Sequence, residues 1–262
     1  SATSGGSWIS SNTAVATVGA ATGVVTGVTA GPVTITYTLP AGCFATMLAT
    51  VNNQPAPITG IFTVCETFTT TLSNASSGGT WTSSNPAQAT VGSASGIVTG
   101  MSAGMPTITY TLPTGCFTAT SVVVNPLPTP YTLTGGGNYC FGSTGVHIGM
   151  ANTDLGVNYQ LYNGAAAVGP ALAGNGGALC FPPQTTGGTY TVTGTNPTTT
   201  CTRNMTGSVT LVVYPIPTIV GPSAVCASAT GTLTATPSGG TWSSSSGCIT
   251  IGAGSGVIFG AG

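Results

Sequence analysis

The stretch Gly78-Gly79-Thr80-Trp81-Thr82-Ser83-Ser84-Asn85 occurs earlier, almost letter for letter, as Gly5-Gly6-Ser7-Trp8-Ile9-Ser10-Ser11-Asn12. Placing Trp8 on Trp81 sets an offset of 73 residues, which also carries Tyr37 onto Tyr110, Pro40 onto Pro113 and Cys43 onto Cys116. A third copy begins near Cys226, because Cys226 and Trp242 are spaced as Cys65 and Trp81 are. Self-similarity at a fixed period marks one supersecondary unit copied in tandem. The chain is therefore read as an array, and repetition points toward reach and assembly rather than chemistry.

Each copy reads as β-sheet. The runs Val33-Thr34-Ile35-Thr36-Tyr37-Thr38-Leu39 and Thr107-Ile108-Thr109-Tyr110-Thr111-Leu112 alternate apolar residues with threonine, the period-two pattern of half-buried strands. Turn signals such as Gly78-Gly79 and Pro113-Thr114-Gly115 recur every few residues, and no window carries a helical period, so almost no helix is expected. Proline clusters at Asn53-Gln54-Pro55-Ala56-Pro57, Asn125-Pro126-Leu127-Pro128-Thr129-Pro130 and Tyr214-Pro215-Ile216-Pro217 divide the array. Alternating prolines favour extended, stiff connectors, which predicts units running head to tail as a rod. Four units follow: 1–53, a repeat lacking its opening strands; 58–125, complete, with about seven short strands; 131–214, a longer variant; and 219–262, a repeat lacking its closing strands.

Only Glu66, Asp154 and Arg203 are permanently charged among 262 residues, and there is no lysine. Thr, Ser, Asn and Gly interrupt every apolar stretch before the roughly 18 residues that a membrane-spanning helix needs. Disorder calls for low hydrophobicity and high net charge, whereas this chain is 41% hydrophobic with net charge −1. A folded surface so close to neutral tends to self-associate, and its sheet edges lack the lysines that usually guard them. Two readings stand: self-assembly, or a glycan coat that supplies solubility, for which Asn74-Ala75-Ser76 and Asn204-Met205-Thr206 are acceptor sequences. One arginine cannot neutralise a nucleic-acid backbone, and no glycine-rich segment leads into a lysine as a phosphate loop requires. Two carboxylates are too few for a calcium site. No cofactor or metal is expected.

Ala89-Thr90-Val91, Gly96-Ile97-Val98-Thr99-Gly100 and Ala103-Gly104 followed by Thr107-Ile108-Thr109-Tyr110 resemble the bacterial immunoglobulin-like (Big) repeats of surface adhesins. The longer unit, with Gly156-Val157-Asn158-Tyr159-Gln160-Leu161-Tyr162 and Gly188-Thr189-Tyr190-Thr191-Val192, resembles repeats of large secreted surface proteins of Bacteroidota, often exported by type IX secretion. The resemblance implies an all-β fold of tandem immunoglobulin-like β-sandwich domains joined by proline-rich linkers, in an extracellular or cell-surface adhesin, stalk or filament. It supplies no catalytic residues.

Eight cysteines without a CxxC pair argue for disulfides in an oxidising, extracellular setting. Cys65 and Cys116 flank the complete repeat and are expected to pair; Cys140 and Cys201 hold the equivalent places in the longer unit and form the second expected bridge. The counterparts that Cys43 and Cys226 would need fall before Ser1 and after Gly262. Either the chain is a window on a longer array, or the two incomplete units complement each other between molecules, with Cys226 joined to Cys43. Strand donation of that kind is a known mode of assembly, and a head-to-tail contact that does not close yields a filament. Cys180 and Cys248 fall outside the repeat pattern and are assigned either to local structure, such as a Cys226–Cys248 bridge or a buried thiol, or to a cross-link between subunits.

Chemistry has little to work with. His147 and Asp154 are the sole histidine and aspartate, and they read as a surface or loop pair rather than as parts of a Ser-His-Asp triad. Glu66 lacks the second carboxylate that glycoside hydrolysis uses. Trp8, Trp81 and Trp242, with Tyr37 and Tyr110, recur at fixed repeat positions and are read as core. Tyr131, Tyr139, Tyr159, Tyr162 and Tyr190 gather in the longer unit, the place for a glycan-binding face if there is one. The sequence thus describes a non-enzymatic extracellular structural protein whose partner is itself, as a head-to-tail homopolymer or a longer array. The alternative is an adhesin whose modules bind a glycan or surface, without nucleic acid and without membrane insertion.

Overall fold

The computed structural model describes residues 5–260. They fall into two compact units, residues 1–127 and 128–262, and among the described residues there is no helix.

In the first unit, the earlier repeat holds β1 (Ser7–Ser10), β2 (Ala16–Val18), β3 (Val25–Gly27), β4 (Gly31–Thr38) and β5 (Phe44–Val51). β4 is central, antiparallel to both β1 and β5, and β2 pairs with β3. The second repeat holds β6 (Thr59–Gly60), β7 (Thr63–Cys65), β8 (Thr69–Ser73), β9 (Thr80–Ser83), β10 (Ala89–Val91), β11 (Ile97–Gly100), β12 (Thr107–Thr111), β13 (Phe117–Ser121) and β14 (Val123–Asn125). One layer has the order β10-β11-β8-β6 and the other β13-β12-β9, while β14 continues the last strand and pairs in parallel with β7. β12 shows how the sequence pattern becomes a layer. Ile108 and Tyr110 turn inward and are buried, while Thr107, Thr109 and Thr111 stay partly exposed.

The quoted signature is legible atom by atom. Trp81 and Tyr110 are register partners on β9 and β12, with ring centroids 4.7 Å apart and planes inclined at 51°, a tilted aromatic pair. The Tyr110 hydroxyl donates to the Ser76 carbonyl at 2.6 Å and accepts from the Gly79 amide at 2.9 Å. A Cβ on Gly79 would lie 2.5 Å from the Tyr110 ring. Across the sandwich Gly96 has φ of +68°, and a Cβ there would lie 2.4 Å from the Leu72 carbonyl and 3.1 Å from the Trp81 indole. The two glycines thus leave room for two rings, and Leu72, Val98, Ile108, Val122 and Val124 close around them.

The earlier repeat has the same clasp, Trp8 on Tyr37 at 4.6 Å, but a small core of Ala16, Val33 and Ile35. Nothing among the described residues corresponds to β6, β7 and β8, so Trp8 and Tyr37 are only half-buried and Val24, Val25 and Val28 are exposed.

In the second unit, the longer repeat holds β15 (Leu133–Gly135), β16 (Gly137–Cys140), β17 (Ile148–Met150), β18 (Asn158–Asn163), β19 (Ala166–Ala173), β20 (Leu179–Cys180), β21 (Gly188–Thr195), β22 (Thr202–Asn204) and β23 (Val209–Tyr214). A sheet β15-β17-β20 faces a larger sheet β16-β23-β21-β18-β19, with β22 added on β21. Between them lie Ile148, Tyr159, Leu161, Phe181, Tyr190, Val192 and Leu211. The length that distinguishes this repeat is largely β19, an extra strand beside β18. The last repeat holds β24 (Thr218–Val220), β25 (Thr230–Thr232), β26 (Thr234–Thr236), β27 (Ile249–Ile251) and β28 (Val257–Gly260). Here Trp242 lies outside any strand and is half-buried, because no counterpart of β12 is present among the described residues to pair with it.

Three substitutions separate the roles of the signature residues. Gly96→Ala, which meets backbone, should cost about 2–4 kcal/mol, and Trp81→Ala about 3–5 kcal/mol. Gly78 also has positive φ, +81°, but no neighbour near its Cβ position; Gly78→Ala should cost only about 1–2 kcal/mol, the strain of the left-handed backbone. Urea unfolding followed by far-UV circular dichroism provides the measurement.

Candidate functional site

The side chains with chemical potential are few, and the structure shows what each one does. Asp154 lies in the loop between β17 and β18. One carboxylate oxygen accepts from the Thr129 amide at 2.6 Å, the other from the Tyr131 hydroxyl at 2.8 Å, and its own amide donates to the Tyr159 hydroxyl at 2.8 Å. Burial works to raise its pKa, but the donors from Thr129 and Tyr131 outweigh it, and the carboxyl titrates below its ordinary value. Tyr131 moves the opposite way, its phenol held protonated chiefly by the hydrogen bond to Asp154. Glu66 acts similarly in the first unit. Its carboxylate accepts from the Ala103 amide at 2.9 Å and from the Leu127 amide at 3.4 Å. Both carboxylates therefore bind backbone of the same proline-rich segment, each within its own unit.

His147 has different neighbours. Its Nδ1 lies 3.2 Å from the Phe181 carbonyl and 3.3 Å from the Cys180 sulfur, whereas both Asp154 oxygens are engaged elsewhere. The two residues that a triad would need do not form one. Among the five tyrosines of the longer repeat, Tyr159 and Tyr190 are fully buried core residues, and Tyr131 and Tyr139 pack partly buried against them. The Tyr190 hydroxyl donates to the Thr186 carbonyl at 2.6 Å, and Tyr139 donates to Thr185. These rings support the sandwich rather than form a face for stacking a sugar. The Asn74 side-chain amide donates to the Ala56 carbonyl at 2.5 Å, which ties it to the first proline cluster; Asn204, on β22, is exposed. A depression beside Trp81 and Tyr110 is lined by Leu72, Asn74, Ser76, Gly79 and Ser95 and carries no charged group. No buried side-chain nitrogen or oxygen among the described residues lacks a partner.

The cysteines correct the sequence reading. Cys65 and Cys201 are disulfide-bonded, but Cys116 and Cys140 are free thiols, so neither Cys65–Cys116 nor Cys140–Cys201 is formed. Strand direction explains this. Cys116 sits at the tip of the β12–β13 hairpin, closing it by accepting from the Leu112 amide at 2.9 Å. Cys65 is level with Asn125 at the far end of the last strand. The extended chain between those levels is roughly 25–30 Å at about 3.3 Å per residue, and a disulfide needs Cα atoms within about 7 Å. Cys140, level with Tyr214, and Cys201, at the tip after β21 where it accepts from Asn196, are separated in the same way. Sequence spacing located both cysteines of each repeat at strand ends, but not that those ends are opposite. Cys43, Cys180, Cys226 and Cys248 are free and exposed; the local Cys226–Cys248 bridge is absent, as is a buried thiol at Cys180 or Cys248.

Residues 1–50 and 63–123 each match the model of the Bacterial Ig-like domain (group 2). The fold is a tandem array of immunoglobulin-like β-sandwiches. By three-dimensional comparison it is similar to murine CEACAM1b, at 17% identity and a TM-score of 0.32, over 60% of this chain and 100% of that one. It is similar also to the N-terminal eight Ig domains of Down Syndrome Cell Adhesion Molecule, at 16% identity and 0.43, over 98% of this chain and 41% of the other. Domains 4 and 5 of the S-layer protein SbsC follow, at 24% identity and 0.21, over 46% and 70%. No curated protein matches the chain. In the immunoglobulin-like domains described here, the acidic side chains and most of the tyrosine hydroxyls form hydrogen bonds to backbone.

The Asp154 contacts set a pH dependence. Because the folded carboxyl holds its proton less tightly than the unfolded one, its contribution is fully present above the ordinary aspartate pKa of about 4 and is lost as pH falls through the lower, folded value. Asp154→Ala should accelerate amide exchange at Thr129, lower the stability of the second unit by about 1–2 kcal/mol at pH 7, and flatten its stability profile between about pH 5 and 2. Exchange mass spectrometry and urea titrations across that range are the check.

Proposed function

We propose that this chain is an extracellular structural segment, part of a surface stalk, fibre or filament built by repeating immunoglobulin-like domains, and that it performs no catalysis. The observation that carries this reading is where its reactive groups lie: Asp154, Glu66 and Tyr110 hydrogen-bond to backbone, and His147 faces a carbonyl and a thiol rather than a carboxylate. The family match and the presence of disulfide-bonded cysteines support an oxidising, extracellular location.

The surface supports self-association. On β5 Phe44, Met47 and Leu48 are each 70% exposed or more, and Phe117, the counterpart of Phe44 on β13, is 60% exposed. Without charge to repel a neighbour, such strands favour lateral or end-on association. The second reading, an adhesin module that binds glycan, has less support, since Tyr159 and Tyr190 pack in the core and Tyr131 and Tyr139 pack partly against it.

Association of this origin is apolar and should persist from about 50 mM to 1 M salt, a range over which surface electrostatics are screened out. The double substitution Phe44→Lys with Met47→Lys should shift the chain toward monomer. Sedimentation velocity and negative-stain microscopy report on both expectations. A wild-type chain that stays monomeric at about 100 µM, well above ordinary working concentrations for a near-neutral protein, would refute the filament reading, and glycan binding by that monomer would establish the adhesin.

A further inference from the structure

β5 is an edge strand, paired with β4 alone. One bond fixes the direction of its backbone groups: the Leu39 amide donates to the Cys43 carbonyl at 2.9 Å, so the groups of Cys43 face β4. Along an antiparallel ladder the direction alternates, which turns the groups of Ala45, Met47 and Ala49 toward β4 and those of Phe44, Thr46 and Leu48 away from it. The equivalent stretch of the complete repeat agrees. There the Val122 amide donates inward to the Pro106 carbonyl at 3.0 Å, and the Val123 amide donates outward to the Phe62 carbonyl at 2.8 Å. At the offset of 73, Val123 corresponds to Thr50, so in a complete repeat the first strand joins the last one only beyond the position of Leu48. The outer edge at Phe44, Thr46 and Leu48 is therefore open by architecture, as it is on β13.

Open edges are usually blunted against pairing, and β5 is not. β19, the other eight-residue edge strand among the described residues, is interrupted by Gly169, with φ of +62°, and by Pro170, and its register with β18 shifts between Tyr159 and Leu161. β13 carries Thr120 and Ser121. At the same two places β5 carries Met47 and Leu48, each 70% exposed, beside Phe44 at 71%. From Phe44 to Val51 it has no glycine, no proline and no charged residue. Two copies of one module thus differ at the same free edge, polar in one and apolar in the other.

We infer that β5 pairs antiparallel with β5 of a second copy of this chain, about a two-fold axis at Thr46. The register follows from the strand itself. Ala49 and Val51 pack against the core, so alternation places Phe44, Thr46 and Leu48 together on the outer face. With Thr46 opposite the Thr46 of the second copy, each Phe44 lies opposite a Leu48, and the three residues whose backbone groups point outward meet their counterparts. Two aromatic–aliphatic pairs and one Thr–Thr pair then cross the contact, and such cross-strand pairs are the unit of sheet stabilisation. A strand that faces its own copy would set any charge near the axis against itself, and β5 has none. The inference rests on the self-association reading above and changes its form. An isologous contact is complete at two, so it ties neighbouring molecules side by side and does not by itself lengthen a filament.

Sedimentation velocity on the full chain at up to about 100 µM, with reductant present to exclude disulfide links, tests it with two variants. The expected wild-type stoichiometry saturates at two. Met47→Thr with Leu48→Ser installs the residues that β13 carries at these places in a folded repeat, and should weaken dimerisation about tenfold, since each change counts twice across a two-fold axis. Thr46→Pro removes an amide that faces away from β4, so the β4–β5 ladder stays intact and the dimer should be lost; far-UV circular dichroism checks that both variants fold. With p-benzoylphenylalanine in place of Phe44, irradiation should join two chains at Leu48 or its neighbours on β5, as located by mass spectrometry. A wild-type chain that stays monomeric overturns this inference together with the self-association reading. Association that both variants leave at wild-type strength, or cross-links that fall on other strands, overturns the β5 pairing and leaves self-association standing. Growth past two chains that the variants abolish overturns it as well, because a two-fold contact cannot propagate.

Discussion

A tilted pair of rings held between two glycines organises the first two repeats. The Trp81 indole lies on Tyr110, Gly96 admits the indole from one side, and Gly79 admits the phenol from the other while its amide bonds the hydroxyl. Both rings belong to one layer, and the indole reaches Gly96, just before β11 of the other layer. Leu72, Val98 and Ile108 close around it. Where partner strands are present the clasp is buried; in the first repeat, where Trp8 and Tyr37 form the same pair without a covering layer among the described residues, it is half-exposed. The same local chemistry therefore gives different burial according to what packs over it.

The near absence of charge reassigns work that ion pairs perform elsewhere. With one arginine and two carboxylates in the chain, segments between strands are fixed by hydrogen bonds between backbone and isolated side chains. Glu66 and Asp154 each anchor backbone at one end of the same proline-rich segment, and Asn74 anchors Ala56 at another. Each such bond to a carboxylate is stronger than a neutral one, and proline removes the competing donors. The two carboxylates are thus found where a repeat meets its connector rather than in a pocket.

That distribution bears on function. The two carboxylates are committed to backbone by the fold. The exposed features are apolar strands and thiols.

The sequence by itself determined the repeat, the strand character, the immunoglobulin-like sandwich and the core placing of Trp81 and Tyr110, while Trp8, Tyr37 and Trp242, read as core in the same way, are half-buried. These follow from local patterns: alternation along β12, glycine next to Trp81, and a fixed offset between copies. It also placed Cys65 and Cys116, and likewise Cys140 and Cys201, at the flanks of their repeats. Only the tertiary structure decided which ends they share, because strand direction relative to a non-local partner, the parallel pairing of β7 with β14, is not written in any local window. The intra-repeat bridges expected from spacing failed for that reason. The commitment of Asp154 to Thr129 and Tyr131, and the burial of Tyr159 and Tyr190, were likewise settled only when the layers packed, since nothing local distinguishes a core tyrosine from one that faces a ligand.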